Sequence, residues 1–209
     1  MLYKRSLLFV LSTILSVILV ACGGSADGDG SGDGAESVDL SQSLSYEDEM
    51  GATVTISYPE GWVSSAENGS AAFATSEEVL DMATGADLPA VESGQVVAIM
   101  LALPSEMVSF FVEEGEDLSP TAIANSFVGD MASDTATIGD VEEATLNGKS
   151  AAVVTGSEDG TDLVLVAIDL GDGNYAIIFG ATAEGEAGEI RPTIEGMAGS
   201  IEYAAAGGE

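Results

Sequence analysis

The chain has 209 residues, 36 of them acidic and four basic, for a formal net charge of −32, with no histidine and one cysteine. That composition excludes internal disulfides, histidine-based triads and most transition-metal sites. It also makes nucleic acid and anionic headgroups repelled partners.

The first segment is a leader. Lys4 and Arg5 form a short positive region, Leu7 to Val20 is an apolar run broken only by Ser12, Thr13 and Ser16, and small Ala21 precedes the cysteine. Those parts in that order make a secretory signal. The run falls short of the about 20 apolar residues of a spanning helix. Leu19-Val20-Ala21-Cys22 resembles a bacterial lipobox. The resemblance implies a diacylglycerol thioether on Cys22 and cleavage just before it. The alternatives are an uncleaved signal anchor or an ordinary secretory signal with an incidental cysteine. The expected organisation is a lipoprotein signal peptide over 1–21, a lipidated Cys22 with a linker to residue 37, and one domain over 38–209. The expected anchor partner is membrane lipid, held through acylated Cys22 on the extracytoplasmic side of a bacterial membrane.

Gly23 to Ser37 holds only Gly, Ser, Ala, Asp and Glu. Such a stretch cannot bury enough surface to offset its ordering entropy, so it is expected to be a disordered acidic tether. Asp27, Asp29, Ser31, Gly32 and Asp33 imitate the opening of a calcium loop, but its twelfth position is Val38 where a bidentate Glu is required.

Residues 38–209 suffice for a single core. Alternation and apolar runs predict strands at Ser43–Tyr46 and Thr53–Tyr58, paired around 47–52, and at Ser70–Thr75 and Gln95–Leu103. Thr137–Leu146 and Lys149–Gly156 flank Asn147-Gly148, a dipeptide suited to a type I′ turn. Thr161–Leu170 and Asn174–Ala181 flank Gly171-Asp172-Gly173, and Ser200–Tyr203 closes the series. Ser119-Pro120 reads as a cap followed by proline at the first helical position. Ile123, Phe127 and Met131, with Ala124 and Val128 beside them, then form an apolar stripe. Ser76-Glu77-Glu78 opens a shorter helix. A last helix is expected over Glu186–Ala198 with Ile190, Ile194 and Met197 buried. It starts near Arg191 or bends at Pro192.

Val96–Leu101, Leu163–Ile168 and Ala176–Phe179 are apolar on both faces. Hairpin turns imply antiparallel pairing, and unbroken apolar runs imply that both faces are covered. An α+β fold, an antiparallel sheet sandwiched between helices, satisfies both.

Along this domain the chain resembles the PsbP-like family, which includes an extrinsic photosystem II subunit, the Ran-binding Mog proteins and many bacterial lipoproteins. Thr55-Ile56-Ser57-Tyr58-Pro59-Glu60-Gly61-Trp62 resembles the family's opening strand and turn. Leu146 to Ala152, Asp172 to Ala176, and Ile194 to Ile201 resemble later segments in the same order. The resemblance implies an α/β/α sandwich with binding or assembly roles and no catalysis.

Tyr58, Pro59, Gly61 and Trp62 are therefore expected to be a structural motif, with Trp62 folding back over a sheet edge. A ligand-stacking Trp62 is the alternative. Lys149 and Arg191 are expected to be held by carboxylates. Met107, Phe110 and Phe111 are expected to be core or a helix face, with an exposed docking patch as the alternative. No cofactor, metal or catalytic residue is assigned, and the domain is expected to be a non-catalytic binding or accessory module for an unknown protein or small molecule. One alternative is a cation-binding surface protein using acidic loops such as Glu158-Asp159-Gly160-Thr161-Asp162. A remoter one is a glycoside hydrolase built on carboxylate pairs such as Glu77-Glu78, Glu113-Glu114, Glu142-Glu143 and Glu158-Asp159.

Removal of the leader leaves two basic residues, Lys149 and Arg191, against 36 acidic ones, a formal balance of −34. Self-repulsion on that scale opposes the compact state. It is screened as the Debye length falls from about 30 Å at 0.01 M to about 3 Å at 1 M salt. Residues 38–209 should therefore melt higher as NaCl or KCl rises over that range, alike for both salts, with low-millimolar calcium adding little. Calorimetric melts check this; a flat NaCl response beside a saturating calcium response would favour a specific cation site.

Overall fold

The computed structural model describes residues 38–206, except 49, 68, 84–90, 109–111, 113–116 and 132–134. The leader, Cys22, the acidic tether, Phe110, Phe111 and Glu113-Glu114 lie outside the described residues.

Every strand pairing is antiparallel. Strands β1 (Gln42–Glu47) and β2 (Thr53–Tyr58) form the first hairpin, and β3 (Val63–Glu67) and β4 (Ser70–Ala74) the second. Helix α1 (Glu77–Ala83), strand β5 (Val96–Leu103) and helices α2 (Ser105–Val108) and α3 (Pro120–Met131) follow. Then come β6 (Thr137–Ile138), β7 (Glu142–Leu146), β8 (Lys149–Glu158), β9 (Thr161–Gly171) and β10 (Asn174–Ala183). Helix α4 (Ala187–Ser200) and β11 (Glu202–Ala204) end the domain. The large sheet runs β3-β4-β5-β10-β9-β8-β6, with β7 also on β8, and a separate small sheet runs β1-β2-β11.

The unbroken apolar runs now have their explanation. In β8, Ala151 and Val153 face α4 and the small sheet, while Ala152 and Val154 face α3; all four are buried. Strands β9 and β10 alternate the same way, with Val166 and Ile178 on one face and Ala167 and Ile177 on the other. Helices α1 and α3 cover one side of the large sheet, and α4 with the small sheet covers the other. The result is the α+β sandwich, with an antiparallel sheet between helical layers.

The helix signals act as read. Ser119 Oγ accepts the N–H of Ala122 at 3.1 Å and Ser76 Oγ that of Val79 at 3.3 Å, so each caps the helix it precedes. On α4, Ile190, Ile194 and Met197 are buried. This helix begins at Ala187 and keeps Pro192 inside it. Proline lacks only the one N–H that would have reached back a turn, and tertiary packing outweighs that loss.

Several expectations need correction. The strand expected over Thr137–Leu146 is two strands. Three residues, 139–141, face only two, 154–155, between the pairs Ile138↔Gly156 and Glu142↔Val153. One extra residue is thus accommodated as a bulge-like break. Gly139 permits it, since a Cβ there would meet the Thr155 carbonyl oxygen at 3.0 Å. Strand β3 and the one-turn helix α2 were not foreseen. Ser200 ends α4, so the last strand starts later, at Glu202.

Helix α4 sits close to the sheet because residue 180 has no side chain. A Cβ on Gly180 would lie 2.7 Å from Ile194 Cγ1 and 2.8 Å from its Cδ1. Gly180→Ala should cost about 1–3 kcal/mol by overpacking. That lowers the melting temperature by about 2–4 °C per kcal/mol in a domain of this size. Adding Ile194→Val should recover part of the loss, a non-additivity that a double-mutant cycle measures. Strict additivity would show that the close approach is not what Gly180 provides.

Candidate functional site

Three of the segments singled out by sequence meet at the end of α4. Strand β7 turns into β8 through Asn147 (φ 50°) and Gly148 (φ 79°), the left-handed pair that a type I′ turn requires. From this turn Asn147 Nδ2 donates to the Gly199 carbonyl at 3.3 Å. Lys149 Nζ donates to the same oxygen at 2.9 Å and to the Ile201 carbonyl at 2.6 Å. From β2, the Ser57 N–H donates to Ser200 Oγ at 2.9 Å, and that hydroxyl donates to the Met197 carbonyl at 2.7 Å. The last carbonyls of a helix lack partners within it and carry partial negative charge. An ammonium and a carboxamide supply the missing donors here. Lys149 is therefore held by backbone carbonyls, against the expectation of carboxylate partners. Burial pushes its pKa below the usual lysine value, while the Glu202 carboxylate draws it up.

Arg191 does meet carboxylates. Its Nη2 donates to Glu142 Oε2 and its Nε to Glu195 Oε1, each at 2.6 Å. The hydrogen bonds that Arg191 donates to Glu142 and Glu195 raise the arginine pKa, and Arg191 in turn lowers that of Glu142. Glu142 is exposed, so the pair contributes little by itself. Its effect is to place β7 against α4.

The start of α4 is an acidic corner. Asp162, 8% exposed, accepts the N–H groups of Gly185 and Ala187 at 2.9 and 3.0 Å. Glu186 accepts the Ser93 hydroxyl, the Gly94 N–H at 3.1 Å and the Thr182 hydroxyl at 3.1 Å. The bond from Ser93, then that from Gly94, lowers the Glu186 pKa. Asp162 belongs to the loop weighed as a cation site, and here it caps a helix start. Among the described residues, no group of three or more acidic or thiol side chains is placed to hold a metal ion. Of the carboxylate pairs weighed for hydrolysis, Glu142 is bound to Arg191, and Glu77-Glu78 lies in the exposed first turn of α1. Sequence reasoning weighed Asp162 as one acid of a possible cation loop. Nothing in its local pattern separates it from Asp159 three positions earlier, which has the positive φ of a hairpin tip.

The Tyr58–Trp62 segment carries the chain from the small sheet to the large one. Tyr58 is buried, packs its ring 5.2 Å from that of Phe73, and accepts the Ser64 hydroxyl at 3.2 Å. The Pro59 carbonyl accepts the Trp62 N–H at 3.4 Å, and Gly61 takes the φ of +83° that this turn needs. Trp62 is half-buried against the core beneath α4. Met107 is half-buried too, with Val108 beside it buried.

No family model and no curated protein matches the chain. Solved structures do. The cyanobacterial PsbP (CyanoP) of Synechocystis is 15% identical with a TM-score of 0.43, covering 88% of this chain and 98% of that one. LpqN of Mycobacterium tuberculosis, involved in cell envelope biogenesis, is 13% identical with a TM-score of 0.43, covering 78% and 91%. The Ran-binding protein Mog1p of Saccharomyces cerevisiae is 10% identical with a TM-score of 0.47, covering 77% and 95%.

Lys149→Met should leave the Gly199 and Ile201 carbonyls short of a donor while keeping the aliphatic stem packed. The expected loss is about 1–3 kcal/mol, read as a lowered melting temperature. An unchanged melt would show that water replaces the amine at no cost and that the joint does not depend on it.

Proposed function

We propose that the chain is a lipid-anchored protein of the bacterial envelope whose folded domain is a non-catalytic binding or accessory module. The observation that carries this is Leu19-Val20-Ala21-Cys22, with the chain's single cysteine closing an apolar leader and opening an acidic, Gly-rich tether. The fold is compatible with it. The first described residues enter the domain beside α4, where Leu40 packs on the core and lies 3.4 Å from where a Gly196 Cβ would sit. The motifs that stand out in sequence are occupied in holding layers together. Lys149, Asn147 and Ser200 bind backbone groups, and Tyr58 and Trp62 pack at the layer crossing. Their placement supports a scaffold that presents surfaces.

Each acyl chain contributes about 0.8 kcal/mol per buried methylene, and two or three chains suffice for stable attachment. Cys22→Ser should abolish lipid labelling and block processing at this position, leaving the leader in place. Metabolic labelling with a radioactive fatty acid, with gel mobility and membrane fractionation, checks it. Processing and membrane association unchanged by the substitution would rule out the lipid anchor.

A further inference from the structure

The two sides of the large sheet are packed differently. On the α4 side the buried residues form a single cluster. On the opposite side they form two, one beneath α3 and one beneath α1. Between these, apolar side chains in register across three strands are only half-buried. Ala72 on β4 pairs with Ile99 on β5, which pairs with Phe179 on β10. All three are partly open, as is Leu101 next along that face of β5. On the same strand and the same face, Val97 and Leu103 are 1% and 2% exposed. A central strand of an eight-stranded sheet is thus buried at both ends of one face and only half-buried in the middle. Phe179 leads from the strip to a small pocket of about 10 Å³, room for a single water, lined also by Met131, Ile138 and Leu163.

The charge around this strip has one sign. Glu77, Glu78 and Asp81 are exposed on α1, and Glu158 lines the pocket at the other end. The mature chain's two basic residues are both on the opposite layer, engaged with α4 and its C-terminus. Three strands spaced about 4.8 Å apart span about 10 Å, the diameter of one helix.

Resting on the reading of the domain as a binding module, we propose that this strip is a docking groove for a cationic amphipathic helix of a partner protein. The helix lays its apolar face on Ala72, Ile99, Leu101 and Phe179 and sets its basic residues against the acidic rim. Charge complementarity selects this occupant. A second copy would bring another −34 to the same face, and an anionic membrane would be repelled.

The test uses the full chain in nanodiscs of neutral lipid at about 0.15 M salt, with empty discs as baseline. The probe is a fluorescent leucine–lysine amphipathic peptide of about five helical turns, with its leucine–glutamate counterpart as control. Ala72→Arg places a cation in the strip, and Ser43→Arg makes the same charge change on the exposed outer side of β1. Ala72→Arg should weaken the lysine peptide about tenfold or more, Ser43→Arg less than about twofold, and the glutamate peptide should not bind. Equal weakening by both variants would reduce the attraction to diffuse charge and overturn the groove, as would binding to wild type no tighter than to empty discs. Self-association of wild type that Ala72→Arg abolishes would assign the strip to a second copy, which also overturns it. A thermal melt verifies that Ala72→Arg is folded. If it is not, the milder Ile99→Thr carries the comparison, with about a fivefold loss expected and an unchanged affinity refuting the groove. None of these results alters the fractionation of Cys22→Ser, so failure of the groove and failure of the anchor are read separately.

Discussion

The seating of α4 on the sheet is the constraint from which the rest of the structure follows. The helix approaches closely because Gly180 leaves room for Ile194. It is then held at three levels by three different chemistries. At its start, Asp162 and Glu186 tie the turn before it to β9, β10 and the loop ahead of β5. In its middle, Arg191 joins it to Glu142 on β7. At its end, Asn147 and Lys149 complete its carbonyls, and Ser200 fastens it to β2. The small sheet depends on the same helix, because α4 delivers β11 to the free edge of β2. Without α4 the face formed by Val153, Val166 and Ile178 would be bare, and the small sheet would lose its third strand.

A chain this acidic can fold because its charges lie where the backbone needs polar or left-handed residues and not where the layers meet. Asp159 and Asp172 occupy positive-φ positions in tight turns, a conformation that Asn and Asp tolerate better than other non-glycine residues. Asp48 is buried but accepts the N–H groups of Met50 and Ala52 and the hydroxyl of Tyr203. The carboxylates that do enter the interior are thus hydrogen-bonded, as a buried charge must be. The other described carboxylates are exposed or half-buried, within reach of water and screening counterions.

Much of this fold was legible in the sequence, because the strong signals are local. The apolar runs of β5, β9 and β10, the turn at Asn147-Gly148, the caps Ser119 and Ser76, and the buried stripe of α4 all depend on spacing along the chain. The elements that escaped depend on partners. Strand β3 reads Val-Ser-Ser-Ala-Glu and has too little apolar alternation to announce itself; it forms because β4 offers it an edge. The break between β6 and β7 arises from a mismatch with β8, which no window on one strand can show. Lys149 was misassigned for the same reason. Its environment is the end of a helix some fifty residues later, and the local sequence offers only neighbouring acids as partners. The candidate groove was illegible for a further reason. Ile99 and Leu101 look no different from Val97 and Leu103 until the positions of α1 and α3 are known.

The two sides of the large sheet end with opposite characters. Among the described residues the α4 layer holds both basic side chains, Lys149 and Arg191, and takes the packing of Leu40. The α1–α3 layer has no basic residue and leaves an apolar strip between its covers. Incomplete cover on a central strand carries a stability cost, since half-buried Ile99, Leu101 and Phe179 each forgo part of the roughly 1.5–3 kcal/mol that full burial of such a side chain provides. The fold places the joints of α4 on one layer and the half-buried strip on the other, so a partner seated in the strip would not disturb α4.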